Sequence, residues 1–141
     1  MSYSFQNPSA EVIESYLKSA KTIAIVGLSH RKEAASYQVA HFLQAAGYRI
    51  IPVNPKLEGQ ELLGEHVYAY LKDIPFSVDI VDVFRRSEYL PDVAYDFLET
   101  KDRIFWSQIG LENEETILRQ SNRQDIVMNR CTKIEYMRLF V

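Results

Sequence analysis

The sequence predicts an α/β fold in which a parallel β-sheet lies between two layers of helices. Two short runs, Thr22–Val26 and Val78–Phe84, are rich in β-branched residues and largely apolar, as in central parallel strands that are covered on two sides. Segments with helical periodicity alternate with such runs along the chain. This alternation predicts a doubly wound, three-layer sheet of about five parallel strands with right-handed crossovers, and we expect the strand order 3-2-1-4-5.

Each element follows from a local pattern. Ser9 precedes apolar residues at helical spacing, which predicts a first helix near Ser9–Ala20. Ser36 is predicted to cap the second helix, and Gly47 to end it in the left-handed conformation. The remaining predictions are strands over Tyr48–Asn54, Arg103–Ile109 and Asp125–Asn129, helices over Ser87–Thr100 (with Pro91 starting a fresh turn) and Asn113–Asn122, an irregular connection with a short helix over Leu57–Asp73, and a short helix or extended tail over Lys133–Phe140.

Length, composition and charge exclude several classes of protein. The 141 residues, 47% hydrophobic and 25% charged, fit a single globular domain over residues 1–141. A net charge of −3 disfavours nucleic acid as a partner, because binding to a phosphate backbone usually needs a basic face. One cysteine suits a reducing compartment, and no apolar run resembles a signal peptide or a membrane span. We therefore expect a soluble cytoplasmic protein that does not bind membranes.

The first strand-to-helix turn is the leading candidate for a ligand site. In doubly wound sheets, ligands bind outside the carboxyl ends of the strands, beside strand one, where the order reverses. Gly27 permits close approach of the backbone, and the helix after the turn presents unpaired N–H groups to an anion. Ser29 and Ser36 supply hydroxyl groups and Arg31 supplies charge. The alternative is an ordinary turn with a serine cap and solvated basic residues.

The end of the second strand indicates which nucleotide is favoured. NAD-binding units usually carry a carboxylate there, which binds the ribose hydroxyls, but this chain has Asn54, Pro55 and Lys56. A lysine beside the ribose favours an additional phosphate, as on NADP or on the 3′-phosphate of coenzyme A. An ordinary exposed lysine is the alternative interpretation of Lys56.

The sequence offers no evident catalytic or metal-binding set. His30, His41 and His66 match no metal-site spacing with one another or with Cys131. Cys131 is interpreted as either a packed cysteine or a reactive thiol. Three acidic residues at helical spacing, Glu88, Asp92 and Asp96, are interpreted as a solvated face. Of the consecutive residues Arg85 and Arg86, one is expected to face the crevice and the other solvent. Catalysis by this chain alone is not expected.

Five segments, in order, carry a resemblance to a known family. They are IAIVGLS, YRIIPVNPK, VDIVDVFRRSE, FWSQIG and RCTKIE, between Thr22 and Arg138. The chain resembles the stand-alone CoA-binding proteins, which are similar to the first, nucleotide-binding domain of the succinyl-CoA synthetase α chain and of NDP-forming acyl-CoA synthetases. It departs from that family in its first turn, which is not proline-rich, and in having Asn129 and Thr132 where aspartate and proline are usual.

The resemblance implies a Rossmann-like domain that binds coenzyme A or an acyl-CoA across the first turn. It assigns the pyrophosphate to the turn, the adenosine to the end of the second strand, and the rest of the crevice to the ends of the later strands. The residues implied, with those of the turn added from its chemistry, are Gly27, Leu28, Ser29, Arg31, Ser36, Asn54, Pro55, Lys56, Val83, Phe84, Arg85, Gln108, Asn129, Arg130 and Cys131.

These observations favour a non-catalytic module that binds coenzyme A and serves as a carrier, a sensor or a partner subunit. An NADP-dependent oxidoreductase and an interaction module that has lost its ligand are the alternatives. A protein partner or a homodimer is compatible with the sequence, and Tyr68, Tyr70 and Trp106 are candidates for a contact surface, although core packing explains them equally well.

Overall fold

The computed structural model describes residues 6–108 and 125–141, which fold as a five-stranded parallel sheet with helices on both faces. The predicted helix over residues 113–122 lies outside the described residues. The strands are β1 (Thr22–Val26), β2 (Arg49–Val53), β3 (Glu61–Leu62), β4 (Glu65–His66), β5 (Ile80–Val83), β6 (Ile104–Ser107) and β7 (Ile126–Met128). The α-helices are α1 (Ala10–Ser19), α2 (Ala35–Ala45), α3 (Leu90–Leu98) and α4 (Thr132–Phe140).

The central strands bury both of their faces, as their apolar sequences predict. Successive side chains of a strand point to opposite faces of the sheet. Ile23 and Ile25 of β1 therefore join the core cluster formed with α1, α2 and α4. Ala24 and Val26 join the second cluster, on the face covered by α3. The α/β, three-layer prediction is confirmed.

The first two helices begin and end for different local reasons. Ser9 caps α1 as predicted, since its hydroxyl accepts a hydrogen bond from the backbone N–H of Val12 at 3.3 Å. The prediction that Ser36 caps α2 is wrong, because Ala34 takes the extended N-cap position and has no side-chain bond to offer. Gly47 follows α2 with φ of 110°, in agreement with its predicted role.

The strand order differs from the predicted 3-2-1-4-5. The sheet runs β2-β1-β5-β6-β7, so the third of the predicted strands, β5, pairs with β1 rather than with β2. The physical reason lies at the outer edge of β2. There the Tyr68 N–H donates to the Pro52 carbonyl at 3.0 Å, and the Asn54 N–H donates to the Tyr68 carbonyl at 2.8 Å. The chain thus covers that edge, and the order reverses between β1 and β5.

The connection between β2 and β5 is irregular, as expected, with two 3₁₀-helices (Pro55–Leu57 and Leu71–Asp73) and the small antiparallel pair of β3 and β4. The carboxyl-terminal segment forms helix α4 rather than an extended tail. Trp106 is fully buried, so it does not contribute to a contact surface. Within the described part of the chain, no helix combines the length and the apolar character needed to cross a membrane.

Candidate ligand-binding site

Gly27 brings the turn after β1 against the end of β5. The residue has φ of 90°, and its N–H donates to the Val53 carbonyl of β2 at 2.8 Å. A Cβ at this position would lie 2.5 Å from the Phe84 carbonyl oxygen and 3.2 Å from Cδ of Arg85. Because the nearest obstacle is backbone, only glycine fits here without moving the chain. The turn therefore has no side chain at this position, and its backbone lies close to the carboxyl end of β5.

The serines of the turn organise its backbone. The Ser36 hydroxyl, which is only 6% exposed, accepts a hydrogen bond from the Ser29 N–H at 3.0 Å. The Ser29 hydroxyl in turn accepts from the Arg31 N–H at 3.0 Å. The first turn of α2 has neither a side-chain cap nor an acidic residue. Its N–H groups consequently remain suitable for an anion, and the Arg31 side chain is exposed nearby.

Asn54 ties the end of β2 to this turn. Its side-chain amide donates to the Leu28 carbonyl at 3.0 Å, and its carbonyl oxygen accepts from the Lys56 N–H at 3.0 Å. Leu28 itself is fully buried in the core. Asn54 thus fixes the turn and the start of the Pro55–Leu57 helix together, which leaves Lys56 exposed at the same edge.

Arg85 extends from the Gly27 turn toward the start of α3. Its Cδ approaches the turn, and its guanidinium lies 4.5 Å from the centre of the Tyr89 ring, within the range of a cation–π contact. Arg86 is exposed and pairs with Glu88 at 3.7 Å. Of the two consecutive arginines, Arg85 is therefore the one that lines a cleft beside the turn, and Arg86 points to solvent.

A cleft of about 280 Å³ opens beside the turn, at the ends of β1 and β2. Its walls are mainly apolar and aromatic, with two carboxylates and one guanidinium. This composition is typical of a small-molecule site, where apolar surface supplies affinity and a few polar groups fix orientation. The lining residues are Val26, Val53, Pro55, Ala69, Tyr70, Arg85, Tyr89, Asp92, Val93 and Asp96.

A buried polar network lies under the end of β5 and β6. Asp82, which is fully buried, accepts hydrogen bonds from the Gln108 side-chain amide at 2.6 Å and from the Thr132 hydroxyl at 2.8 Å. The same Gln108 amide lies 2.9 Å from the Thr132 hydroxyl oxygen. Burial raises the pKa of Asp82 to about 7, although the two hydrogen bonds oppose the shift. The side chain of Gln108 is therefore engaged inside the protein.

The end of β7 is bound to helix α4. Nε of Arg130 lies 3.6 Å from a carboxylate oxygen of Glu135, whose other oxygen is 2.6 Å from the Arg138 guanidinium. The Arg130 carbonyl accepts a hydrogen bond from the Trp106 indole at 2.8 Å. Asn129 is exposed with φ of 59°, and Cys131 is half-buried against the core. In residues 6–108 and 125–141, no three His, Cys, Asp or Glu side chains are grouped to hold a metal ion.

Comparison with known proteins identifies the family. The model of the CoA binding domain matches residues 21–137, which is most of the chain. This chain belongs to the CoA binding domain family. The resemblance inferred from the five sequence segments is thereby confirmed.

Two proteins are similar to this chain over nearly its whole length. The uncharacterized protein YneT of Bacillus subtilis (strain 168) is 47% identical over 133 residues, which cover 93% of this chain and 96% of YneT. The cell-free ID.343 structure from Thermus thermophilus is 34% identical with a TM-score of 0.89, and the match covers 94% of this chain and all of that one.

A longer protein has the same fold as this chain over part of its length, at low sequence identity. The dinucleotide-forming acetyl-coenzyme A synthetase 1 of Ca. Korarchaeum cryptofilum is 22% identical with a TM-score of 0.63. The match covers 72% of this chain but only 24% of the synthetase. The fold of the family thus recurs as one part of a longer chain.

The residues that the resemblance implies for the ligand site fall into two groups along the carboxyl edge of the sheet. The structure brings together those of the turn and of the ends of β2 and β5, although the side chains of Leu28 and Val83 are buried in the core. Of all the predicted site residues, only Pro55 and Arg85 line the cleft itself, and Gln108, Asn129, Arg130 and Cys131 lie apart from the turn. These four lie at the ends of β6 and β7, on the other half of the sheet.

Sequence reasoning missed several residues that shape this region. Helical spacing predicts that Asp92 and Asp96 belong to a solvated face, yet both line the cleft. The sequence predicts Asp82 only as part of a largely apolar strand, and it marks Thr132 only as a departure from the family pattern. A carboxylate within an otherwise apolar, buried strand was the one available signal for Asp82, because such a group needs partners.

Proposed function

We propose that this chain binds coenzyme A or an acyl-CoA across the carboxyl ends of β1, β2 and β5. One observation carries the proposal: the glycine-dependent turn, the uncapped start of α2 and the ammonium-bearing side chain at the end of β2 lie at one edge of the sheet, beside a cleft. Membership of the CoA binding domain family supports the choice of ligand.

The pyrophosphate would lie over the turn. Gly27 keeps this surface free of a side chain, and the first N–H groups of α2 supply donors together with the positive end of the helix dipole. Arg31 is exposed beside the turn and adds a positive charge. Ser29 and Ser36 hold the backbone in the required shape, because their hydroxyls accept hydrogen bonds from within the turn.

The adenosine would lie in the cleft, with its 3′-phosphate near Lys56. Proline and valine side chains at the ends of β1 and β2 provide apolar contact for a base. Lys56 follows immediately along the chain and is exposed, so its ammonium group is free to meet a phosphate at the rim. No carboxylate occupies the end of β2, where NAD-binding proteins use one.

The pantetheine arm would extend along the same edge of the sheet. Neighbouring strands lie about 4.8 Å apart, so the end of β7 is about 14 Å from the end of β1. An extended pantetheine arm is long enough to cover that separation. Asn129 and the half-buried thiol of Cys131 would then lie near the distal, thiol-bearing end of the ligand.

The role that best fits this site is binding without catalysis. Its chemistry consists of backbone donors, cations and apolar walls, and among the contacts of the described residues no serine or cysteine is hydrogen-bonded to a histidine. In such a role the chain acts as a carrier, a sensor or a partner subunit. Another protein or a second copy of the chain would read the bound state.

Calorimetric titration with coenzyme A and with dephospho-coenzyme A tests the proposal. Lys56→Glu should weaken binding of coenzyme A by about tenfold or more, since a charged hydrogen bond becomes a repulsion, and should change dephospho-coenzyme A binding less than about threefold. Lys101→Glu, the same charge change before β6 at the opposite edge of the sheet, is the matched control. Absence of binding to the unaltered chain contradicts the function, whereas equal losses for both ligands contradict only the role of Lys56.

A further inference from the structure

The cleft contains a carboxylate that a phosphate-rich ligand would repel. Asp92 lies in the first turn of α3 and lines the cleft together with Tyr70 and Tyr89. It is exposed, and it makes no hydrogen bond or ion pair with any residue in the described part of the chain. Both oxygens therefore remain available as acceptors.

The second carboxylate of the cleft has a different role. One oxygen of Asp96 accepts a hydrogen bond from the Leu71 N–H at 2.7 Å, and the other accepts from the Lys72 N–H at 3.2 Å. These bonds hold the Leu71–Asp73 helix against α3. Burial nevertheless raises the pKa of Asp96, and the two backbone bonds oppose that shift. Both oxygens of Asp96 are thus used in hydrogen bonds within the protein, and Asp92 is the cleft carboxylate that can bind a ligand.

The charge of Asp92 limits what the cleft accepts. A phosphate beside a carboxylate is repelled, so the ligand phosphates belong at the turn and at Lys56, where cations and helix N–H groups are found. The cleft itself suits a flat, uncharged group, because aliphatic side chains and two tyrosine rings form its walls. That group must also carry a hydrogen-bond donor, since an ionised carboxylate only accepts.

We propose that the cleft selects a 6-aminopurine and that Asp92 is the residue that reads the exocyclic amino group. The proposal rests on the proposed function, since it assigns the adenine of coenzyme A to this cleft. A 6-amino group donates a hydrogen bond to the carboxylate. A 6-oxo group, as in hypoxanthine or guanine, presents lone pairs to the carboxylate and is disfavoured.

A purely structural role for Asp92 makes a different prediction. An acidic residue in the first turn of a helix interacts favourably with the helix dipole. Replacing Asp92 would then alter the stability of α3 and leave the preference among bases unchanged. Base preference is therefore the measurement that distinguishes the two roles.

The experiment compares coenzyme A with an analogue in which hypoxanthine replaces adenine, by calorimetric titration. The unaltered chain should bind coenzyme A at least about tenfold more tightly than the analogue, as expected for a hydrogen bond to a charged group. In Asp92→Asn the side chain offers both an acceptor and a donor, so the ratio should fall below about threefold. Because Asp92 is exposed, this variant is expected to fold, and circular dichroism checks it.

Glu88→Gln is the matched control. It removes one negative charge from the segment just before α3, at an exposed residue that does not line the cleft. Both variants should favour an anionic ligand slightly, but only Asp92→Asn should alter the adenine-to-hypoxanthine ratio. A ratio near one for the unaltered chain, or a ratio retained in Asp92→Asn, overturns the assignment of Asp92 and leaves the proposed function standing. Failure of the unaltered chain to bind either ligand overturns both.

Discussion

The two halves of the carboxyl edge of the sheet carry similar polar residues but use them differently. At the ends of β2, β1 and β5, the polar groups shape a turn and a cleft and leave donors, cations and a carboxylate facing outward. At the ends of β6 and β7, the polar side chains bond mostly to one another. The first half thus leaves donors and cations without partners among the described residues, whereas in the second half most polar side chains are engaged within the protein.

The difference teaches that position at a strand end does not by itself leave a polar side chain available to a ligand. Gln108 and Arg130 occupy strand ends as Asn54 and Arg85 do. The Gln108 amide is used by Asp82, and the Arg130 guanidinium is used by Glu135 and by the Asn129 carbonyl, the latter at 2.9 Å. Asn54 is likewise engaged, by the Leu28 carbonyl and the Lys56 N–H. The two arginines differ, because Arg130 has a carboxylate partner within the protein, whereas Arg85 contacts the Tyr89 ring.

The largest effect is expected from a side chain at Gly27. In Gly27→Ala the new Cβ would lie 2.5 Å from the Phe84 carbonyl oxygen, at a φ that L-residues rarely adopt. The free energy of unfolding should fall by about 4 kcal/mol, because left-handed strain and a backbone clash add together. Urea denaturation measures this loss, and titration should show that binding of coenzyme A is lost in whatever fraction remains folded.

Gly47→Ala separates the clash from the strain. Gly47 also has a positive φ, of 110°, but among the described residues no atom outside Gly47 and its two chain neighbours lies within 4 Å of the position of an added Cβ. Its substitution should lower the free energy of unfolding by only about 1–2 kcal/mol and should leave ligand affinity unchanged. Equal losses for the two variants would show that close approach at Gly27 is not what the turn requires.

The buried network in the second half of the edge should make stability depend on pH. The pKa of Asp82 is raised from 3.8 to about 7, so the folded chain binds this proton more tightly than the unfolded chain does. The contribution of Asp82 to the free energy of unfolding is therefore largest below pH 4. It declines as the pH rises to about 7 and is constant above that. The decline should be on the order of 2–4 kcal/mol.

Two variants isolate this contribution from the other titrating groups. Asp82→Asn should remove it, so urea denaturation from pH 4 to pH 8 should give a flatter stability profile than that of the unaltered chain. Thr132→Val deletes one of the two bonds that lower the pKa, so the decline should move to higher pH. Profiles that run parallel for all three proteins would mean that Asp82 does not titrate in this range.

The sheet and its first turn could be predicted from sequence because their causes are local. Short apolar, β-branched runs mark the strands, and Gly27 directly follows the first of them. The strand order could not be predicted in this way. It depends on Tyr68 pairing with Pro52 and Asn54 and so closing the outer edge of β2, a contact that no periodicity in the sequence reveals.

The polar residues were harder to assign because their partners are distant in sequence. Asp82 meets Gln108 across 26 residues and Thr132 across 50, so the sequence gives only an unexplained carboxylate in an apolar strand. For Asp92, helical spacing identified the exposed face correctly but did not indicate that the face borders a cleft. Composition of a helix does not specify what lies beside it.

The smallest expected change is in the affinity for coenzyme A, and it compares the two halves directly. Arg85→Met and Arg130→Met each remove one guanidinium from a strand end and keep a long apolar side chain. Arg85 lies between the turn and the cleft, so its loss should weaken binding of coenzyme A by about tenfold.

Arg130 is held by Glu135, so Arg130→Met should change the affinity for coenzyme A by less than about threefold, although it leaves that carboxylate with Arg138 as its remaining ion pair. Calorimetric titration of both variants gives the comparison, and thermal unfolding monitors the fold. Equal weakening would mean that bound coenzyme A reaches Arg130 and competes with Glu135 for it. An ion pair within the protein would then not keep a guanidinium from the ligand, and the distinction drawn between Arg85 and Arg130 would be wrong.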